Sequence, residues 1–135
     1  MRFRNNFDLI KEFSNQTSNK GSRGNLHFQG NLLYSYNQCI CKIKHGYAFL
    51  IDYNYSNTTA RHINITIECT KHLTQVFVQD LGLFSSSREI AYKYEKIAKL
   101  KKKRAKARKP ELYDRQIAEQ RKNIQALLEY QSKWE

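Results

Sequence analysis

The chain has 135 residues, the size of one ordinary domain with a small appendage, and its 40% hydrophobic content, with nine Tyr and seven Phe, suffices for a core. One Pro and five Gly exclude a collagen-like or low-complexity chain. A formal net charge of +12, from 24 basic and 12 acidic side chains, favours phosphate-bearing or acidic partners and says little about fold.

Residues 5–13 (NNFDLIKEF) fit a short helix, with Phe7, Ile10 and Phe13 at three-residue spacing. Residues 14–24 are small and polar and read as a loop. The stretch Gly24 to Gly30 (GNLHFQG) resembles a viral protease recognition site, but Gly24 and His27 depart from it, so it is read as native sequence. From Leu26 onward the pattern is strand-like. Leu33, Tyr34 and Tyr36, then Cys39 to Ile43, then Tyr47 to Ile51 form short runs rich in aromatic and β-branched residues. The break at His45-Gly46 predicts a hairpin turn.

Residues 58–73 carry two patterns. Ile63, Ile65 and Ile67 alternate as in a strand, whereas Ala60, Ile63 and Ile67 share a helix face with Asn57 or Thr58 available as N-cap. The helix is favoured, followed by a strand over 74–79 with Val76 and Val78. Ser86-x-x-Glu89 has the form of a capping box, and Ile90, Tyr94, Ile97 and Leu100 follow at helical spacing. Pro110 interrupts that helix and is placed to open another, with Tyr113, Ile117, Ile124, Leu127 and Trp134 close to a heptad seam in which Gln120 and Gln131 are interposed. The two segments form either an antiparallel hairpin or one long kinked helix. The expected architecture is α+β: a helix and loop over residues 1–24, a small β-rich domain over 25–84, and a basic helical region over 85–135.

The charge is concentrated. Residues 1–85 carry net +4, residues 86–109 net +9 and residues 110–135 net −1. Within Lys99 to Lys109 (KLKKKRAKARK) eight of eleven residues are basic, and at 100° per residue they point all round a helix. Such a segment has no apolar face to bury, and its self-repulsion calls for counter-charge. Phosphates supply it, with release of counterions and steep salt dependence. Lys outnumbers Arg, which suits attraction to a nucleic-acid backbone more than base readout. The competing readings are a solvated, frayed tip and an anionic membrane surface.

Four further constellations bear on function. Cys39-x-Cys41 with Cys69-x-x-His72 supplies four zinc-compatible ligands, although small buried cysteines are the commoner arrangement; no metal or cofactor is expected. Thr58, Thr59, Arg61 and His62 form a polar cluster in which a nuclease would use His62 as general base and Arg61 on a phosphate; the plainer expectation has the threonines capping a helix and Arg61 and His62 on its surface. Tyr34, Tyr36, Tyr47, Phe49, Tyr53 and Tyr55 suggest either core or a base-stacking platform. An odd number of cysteines, three, argues against a disulfide framework. With no apolar leader in residues 1–13 and no spanning run, the expected location is the cytoplasm, and the N-x-S/T triplets at Asn15, Asn54, Asn57 and Asn64 are read as chance.

Residues 33–64 carry Tyr34-Ser35-Tyr36-Asn37, Cys41-Lys42-Ile43, Gly46, and Tyr55-Ser56-Asn57-Thr58-Thr59-Ala60-Arg61-His62. This pattern resembles a domain of small uncharacterised proteins of phages and other mobile elements, departing from it in the cysteines that flank Ile40. The resemblance implies a small α+β domain and a phage or mobile-element origin, and it brings no activity with it. The resulting expectation is a non-enzymatic accessory protein that binds nucleic acid or a ribonucleoprotein complex, in its concrete form a counter-defence (anti-CRISPR-like) inhibitor of a host nuclease. Lys99, Lys101, Lys102, Lys103, Arg104, Lys106, Arg108 and Lys109 would make the contact, with Arg61 and His62 as a secondary one. The alternatives are an inhibitor or adaptor that docks an acidic host protein surface, and a small nuclease; a homo-oligomer is compatible with each.

Overall fold

A computed structural model describes residues 3–52 and 56–135, which divide into two units, 1–83 and 84–135. The fold is α+β: a six-stranded sheet with helices in the first unit and two further helices in the second.

Helix α1 (Asn6–Asn15) starts where the Asn5 side chain accepts from the Asp8 N–H, at 2.8 Å, and ends at Gln16 in the left-handed region. It buries Leu9, Ile10 and Phe13; Phe7, placed on that face by the sequence spacing, is 46% exposed. The sheet follows as β1 (Lys20–Arg23), β2 (Leu26–Gln29), β3 (Leu32–Ser35), β4 (Gln38–Lys44), β5 (Tyr47–Ile51) and β6 (Thr74–Val78), in spatial order β1 to β6. The first five strands pair antiparallel. β6 joins β5 in parallel, which requires the intervening crossover helix α2 (Asn57–Cys69).

The residues read as a polar loop, 14–24, contain β1. Its four residues KGSR show no apolar alternation because the strand lies at the sheet edge and is largely exposed. A side chain at Gly21 would meet the Phe28 and Phe3 rings at 2.7 Å, so only glycine lets β1 lie this close to them. The Gly24–Gly30 stretch is integral to the sheet: Leu26 and Phe28 are buried, and Phe28 packs against Phe13 with ring centroids 5.6 Å apart.

A six-residue repeat underlies this meander. Asn19, Asn25, Asn31 and Asn37 recur at that period; Asn19 lies in the bend before β1, and the other three follow the first residue of a turn, Gly24, Gly30 and Tyr36. The carbonyls of Asn19, Asn25 and Asn31 accept from the N–H groups of Gly30, Tyr36 and Ile43. The last step is one residue longer because the β3–β4 register shifts between Leu33 and Tyr34, leaving Ile40 without an opposite partner. Gly24, Gly30 and Tyr36 share φ of 58°, 59° and 57°, so the Tyr occupies a backbone position suited to glycine.

The ladder puts Phe28, Leu33, Cys41 and Leu50 on one face of the sheet. Ser35 shares that face at the end of β3, and α1 and α2 pack together there. Helix α2 resolves the double pattern of residues 58–73 in favour of the helix. Its N-cap is Ser56, one residue before the expected candidates, accepting from the Thr59 N–H at 3.3 Å.

In the second unit, Ser85 caps α3 (Ser86–Ala105) by accepting from the Arg88 N–H, so the expected capping box at Ser86 and Glu89 does not form. Both of those residues are buried instead. After a turn at 106–110, α4 (Glu111–Trp134) returns antiparallel: Arg104 pairs with Asp114 near the turn, while Ser86 donates to Glu135 and Gln131 donates to Ser86 at the far end. The hairpin, not the kinked helix, is the geometry. Ile97, Leu100, Ile117 and Ile124 form its core, with Ile90 and Tyr113 packed against it. Two seam positions differ from the expected ones. Tyr94 is 55% exposed and Lys93 is buried in its stead, while Trp134 is 48% exposed and Tyr130 is buried. Lys93 is tolerated there because its Nζ lies 3.1 Å from Glu89 Oε1, one turn earlier on the same helix.

Candidate nucleic-acid interface

The basic segment lies at the turn of the hairpin. Lys99, Lys101, Lys102, Lys103 and Arg104 belong to the last two turns of α3, Lys106 is its C-cap, and Arg108 and Lys109 lie in the connection. The positive stretch is thus helix followed by turn, and not one continuous helix to Lys109. The chain leaves the helix before Pro110, whose ring disfavours helical backbone at the preceding residue. All eight side chains are exposed.

Two of the eight are restrained. Arg104 forms a two-pronged pair with Asp114, Nε to Oδ1 at 2.5 Å and Nη2 to Oδ2 at 3.3 Å, and this hydrogen bonding holds the Asp114 carboxyl below its usual range. Lys99 approaches Glu95 at 4.0 Å on an exposed face. Among the described residues Lys101, Lys102, Lys103, Lys106, Arg108 and Lys109 have no carboxylate partner. The negative end of the α3 dipole favours cations in its last turn by about 0.3–1 kcal/mol each. That term falls off within one turn and cannot account for a cluster of this size. Beside the tip an open groove is lined by Lys101, Arg104, Ala105, Asp114, Ile117, Ala118 and Arg121, so Arg121 of α4 extends the positive surface along the hairpin.

Arg61 and His62 separate. Arg61 is exposed on α2, whereas His62 is 4% exposed, contrary to its expected place on the helix surface. Its Nδ1 lies 2.7 Å from Ser35 Oγ, which lies 3.1 Å from Thr59 Oγ1, and its Nε2 lies 3.4 Å from Asn6 Nδ2. Desolvation lowers the His62 pKa, so the ring is neutral near pH 7. With the Asn6 amide donating to Nε2, the proton sits on Nδ1 and is donated to Ser35. The groups beside His62 across an open cleft are Asn6, Arg23, Gly24, Asn25 and Thr58. Arg23, and not Arg61, is therefore the cation paired spatially with this histidine. Composition alone hides Arg23, because β1 is polar and lacks apolar alternation; the Asn repeat, which extends back to Asn19, carries the signal for that strand.

The remaining constellations are dispersed. Cys39 and Cys41 lie on β4, and burial raises the Cys39 thiol above its ordinary range and the Cys41 thiol well above it. Cys69 ends α2 and His72 is exposed beyond it; among the described residues no three His, Cys, Asp or Glu side chains converge on a common point. Tyr47 and Phe49 are core, Tyr34 stacks on His27 with centroids 4.9 Å apart, and Tyr36 is 46% exposed. Tyr53 and Tyr55 lie outside the described residues. No helix among the described residues is long and apolar enough to cross a membrane.

The fold and its surfaces define a class: a small α+β protein whose sheet-bearing unit is followed by a basic helical hairpin. The chain belongs to a family of unknown function, DUF8033, whose model matches residues 7–80. The matched span covers α1 through β6 and ends before the hairpin. No curated protein and no solved structure matches the chain.

Proposed function

We propose that this is a non-enzymatic binding protein that engages nucleic acid, free or within a ribonucleoprotein complex, through the tip of its α3–α4 hairpin. The observation that carries the reading is the cluster of six exposed, carboxylate-free cations, Lys101, Lys102, Lys103, Lys106, Arg108 and Lys109, at one turn. Phosphates of a duplex backbone recur at a spacing that lets several such side chains each neutralise one, with sequence-independent affinity as the result. The resemblance of residues 33–64 to phage and mobile-element domains supports an accessory role in the host cytoplasm, with inhibition of a host nuclease complex as its concrete form. The test is binding of labelled RNA and DNA duplexes across a salt series. A steep fall of affinity with salt is expected, and absence of binding at low salt overturns the proposal.

One observation favours a second reading. Leu112, in the first turn of α4 beside the basic turn, is 60% exposed. An apolar side chain among cations suits an acidic protein surface with a hydrophobic contact at its centre. Capture of a host protein that persists after nuclease treatment and is lost on Leu112→Ser would favour that reading over nucleic acid.

A further inference from the structure

The cleft beside His62 lies in the first unit and is independent of the hairpin. It measures about 440 Å³, within the range of small-ligand sites, and opens to solvent. Its polar lining carries groups able to donate hydrogen bonds, the Arg23 guanidinium, the Asn25 amide and the Thr58 hydroxyl, together with Asn6, whose amide is engaged with His62. Among the described residues no carboxylate lines it. The Arg23 Nη1 donates to the Phe3 carbonyl at 3.0 Å, which fixes the guanidinium and leaves its other nitrogens without a protein partner among the described residues. His62 forms the buried floor, held by Ser35 on one side and Asn6 on the other.

A second observation adjoins the cleft. The Tyr36 N–H donates to the carbonyl of Asn25, a lining residue, at 2.6 Å, and the Tyr36 side chain is half-exposed. Tyr36 has φ of 57°, where the two preceding turns of the repeat place glycine. A bulky residue in that backbone region is strained, and such strain concentrates at ligand-binding positions.

We propose that this cleft binds a phosphate monoester, the phosphate of a free nucleotide or the phosphorylated end of a nucleic acid, with Arg23, Asn25 and Thr58 as donors, His62 as floor and Tyr36 as a flat face beside the attached nucleoside. A planar carboxylate is satisfied by the guanidinium alone, whereas a phosphate has further oxygens for the amide and hydroxyl donors of the lining. A neutral floor neither repels the anion nor calls for a second cation.

The test is an NMR titration of the full-length protein with inorganic phosphate, a nucleoside 5′-monophosphate, and an oligonucleotide with and without a 5′-phosphate, against chloride and acetate at matched ionic strength. Phosphate is expected to move the Arg23 side-chain and Thr58 backbone resonances, and the monophosphate to bind at least tenfold more tightly than phosphate. Arg23→Gln, at an exposed edge-strand position, is expected to weaken both by at least tenfold, while a variant with Lys101, Lys102, Lys103 and Lys106 replaced by Glu retains them. Preference for the monophosphate over the 5′-phosphorylated oligonucleotide identifies a free nucleotide as the ligand, and the reverse preference identifies a nucleic-acid end. Equal shifts with acetate or chloride, no shift at these residues, or full retention in Arg23→Gln would each overturn the site. Because the quadruple variant removes the hairpin cations alone, failure here is distinguishable from failure of the nucleic-acid reading.

Discussion

The two units present positive charge in opposite ways. The hairpin spreads six cations without carboxylate partners over the end of α3 and the connection after it, with a single guanidinium, that of Arg104, held by a carboxylate. The sheet-bearing unit offers one guanidinium, Arg23, beside a buried histidine whose ring nitrogens both face protein side chains. Exposed cations act additively and are screened by salt, whereas a cleft relies on directed hydrogen bonds and a fixed shape. The hairpin should therefore lose affinity by degrees as charges are removed, and the cleft should fail at a single substitution.

The largest effect tests that redundancy. Replacing Lys101, Lys102, Lys103 and Lys106 together by Glu is expected to lower nucleic-acid affinity by roughly a thousandfold at 0.1 M salt, and to cut the slope of log K against log salt by about 3 to 4, as for four lost phosphate contacts. Any one of them changed to Ala should cost only a few-fold. Fluorescence anisotropy over a salt series reads both. If a single Lys→Ala abolished binding, the tip would be a directed site like the cleft and the contrast would be lost.

A second test concerns the buried pair Glu89–Lys93, whose side chains are 6% and 4% exposed. Lys93→Met leaves the Glu89 carboxylate buried without its ammonium and is expected to destabilise the hairpin by about 3–5 kcal/mol. Glu89→Leu combined with Lys93→Met removes both charges and is expected to recover most of that loss. Urea unfolding of the two variants provides the comparison. Recovery would show that charge within the hairpin core is a liability even while charge at its tip is functional.

The contrast extends to how much of each region was readable. The helix boundaries near Pro110, the strands from Leu26 to Ile51 and the exposure of the basic run follow from local chemistry: proline geometry, β-branched and aromatic runs, and the absence of any apolar face. The hairpin seam was readable in its period but not in its members. Hydropathy favours Tyr94 over Lys93, and the one-turn spacing to Glu89 helps to make the lysine burial tolerable. The cleft was not readable as a site. Its residues come from α1, the first hairpin and α2, which are distant in sequence, and Arg23 belongs to an edge strand with no apolar pattern. His62 was singled out, but its burial depends on Ser35, twenty-seven positions earlier, standing on the same face of the sheet.

A third effect, of about 1–3 kcal/mol, follows from that buried network. Ser35→Ala leaves the His62 Nδ1 group without its partner and should destabilise the first unit by that amount, read by urea unfolding. The pH dependence has a defined sign. Burial depresses the His62 pKa in the folded protein below its ordinary value near 6.5. Below that value the unfolded chain takes up a proton that the folded chain does not, so stability is full above about pH 6.5 and declines as pH falls toward the folded pKa. His62→Gln should flatten that decline. A slope unchanged in His62→Gln would show that the carboxylates, and not this ring, control acid stability.

The smallest effect is the most informative about the cleft. Tyr36 stands at φ 57° where Gly24 and Gly30 stand at 58° and 59°. A Cβ in the left-handed region costs about 1–2 kcal/mol, partly offset by the roughly 0.4–1 kcal/mol that a non-glycine residue gains by restricting the unfolded chain. Tyr36→Gly should therefore stabilise the first unit by up to about 1 kcal/mol, measured as a shift in urea midpoint at constant slope. The same variant should weaken the nucleoside monophosphate and leave inorganic phosphate unchanged, because the proposed site assigns the ring to the nucleoside and the donors to the phosphate. A gain in stability together with that selective loss would mean the turn is strained for the sake of the ligand. A loss of stability would mean instead that the ring packs on the sheet, and the strain would then have a purely structural origin.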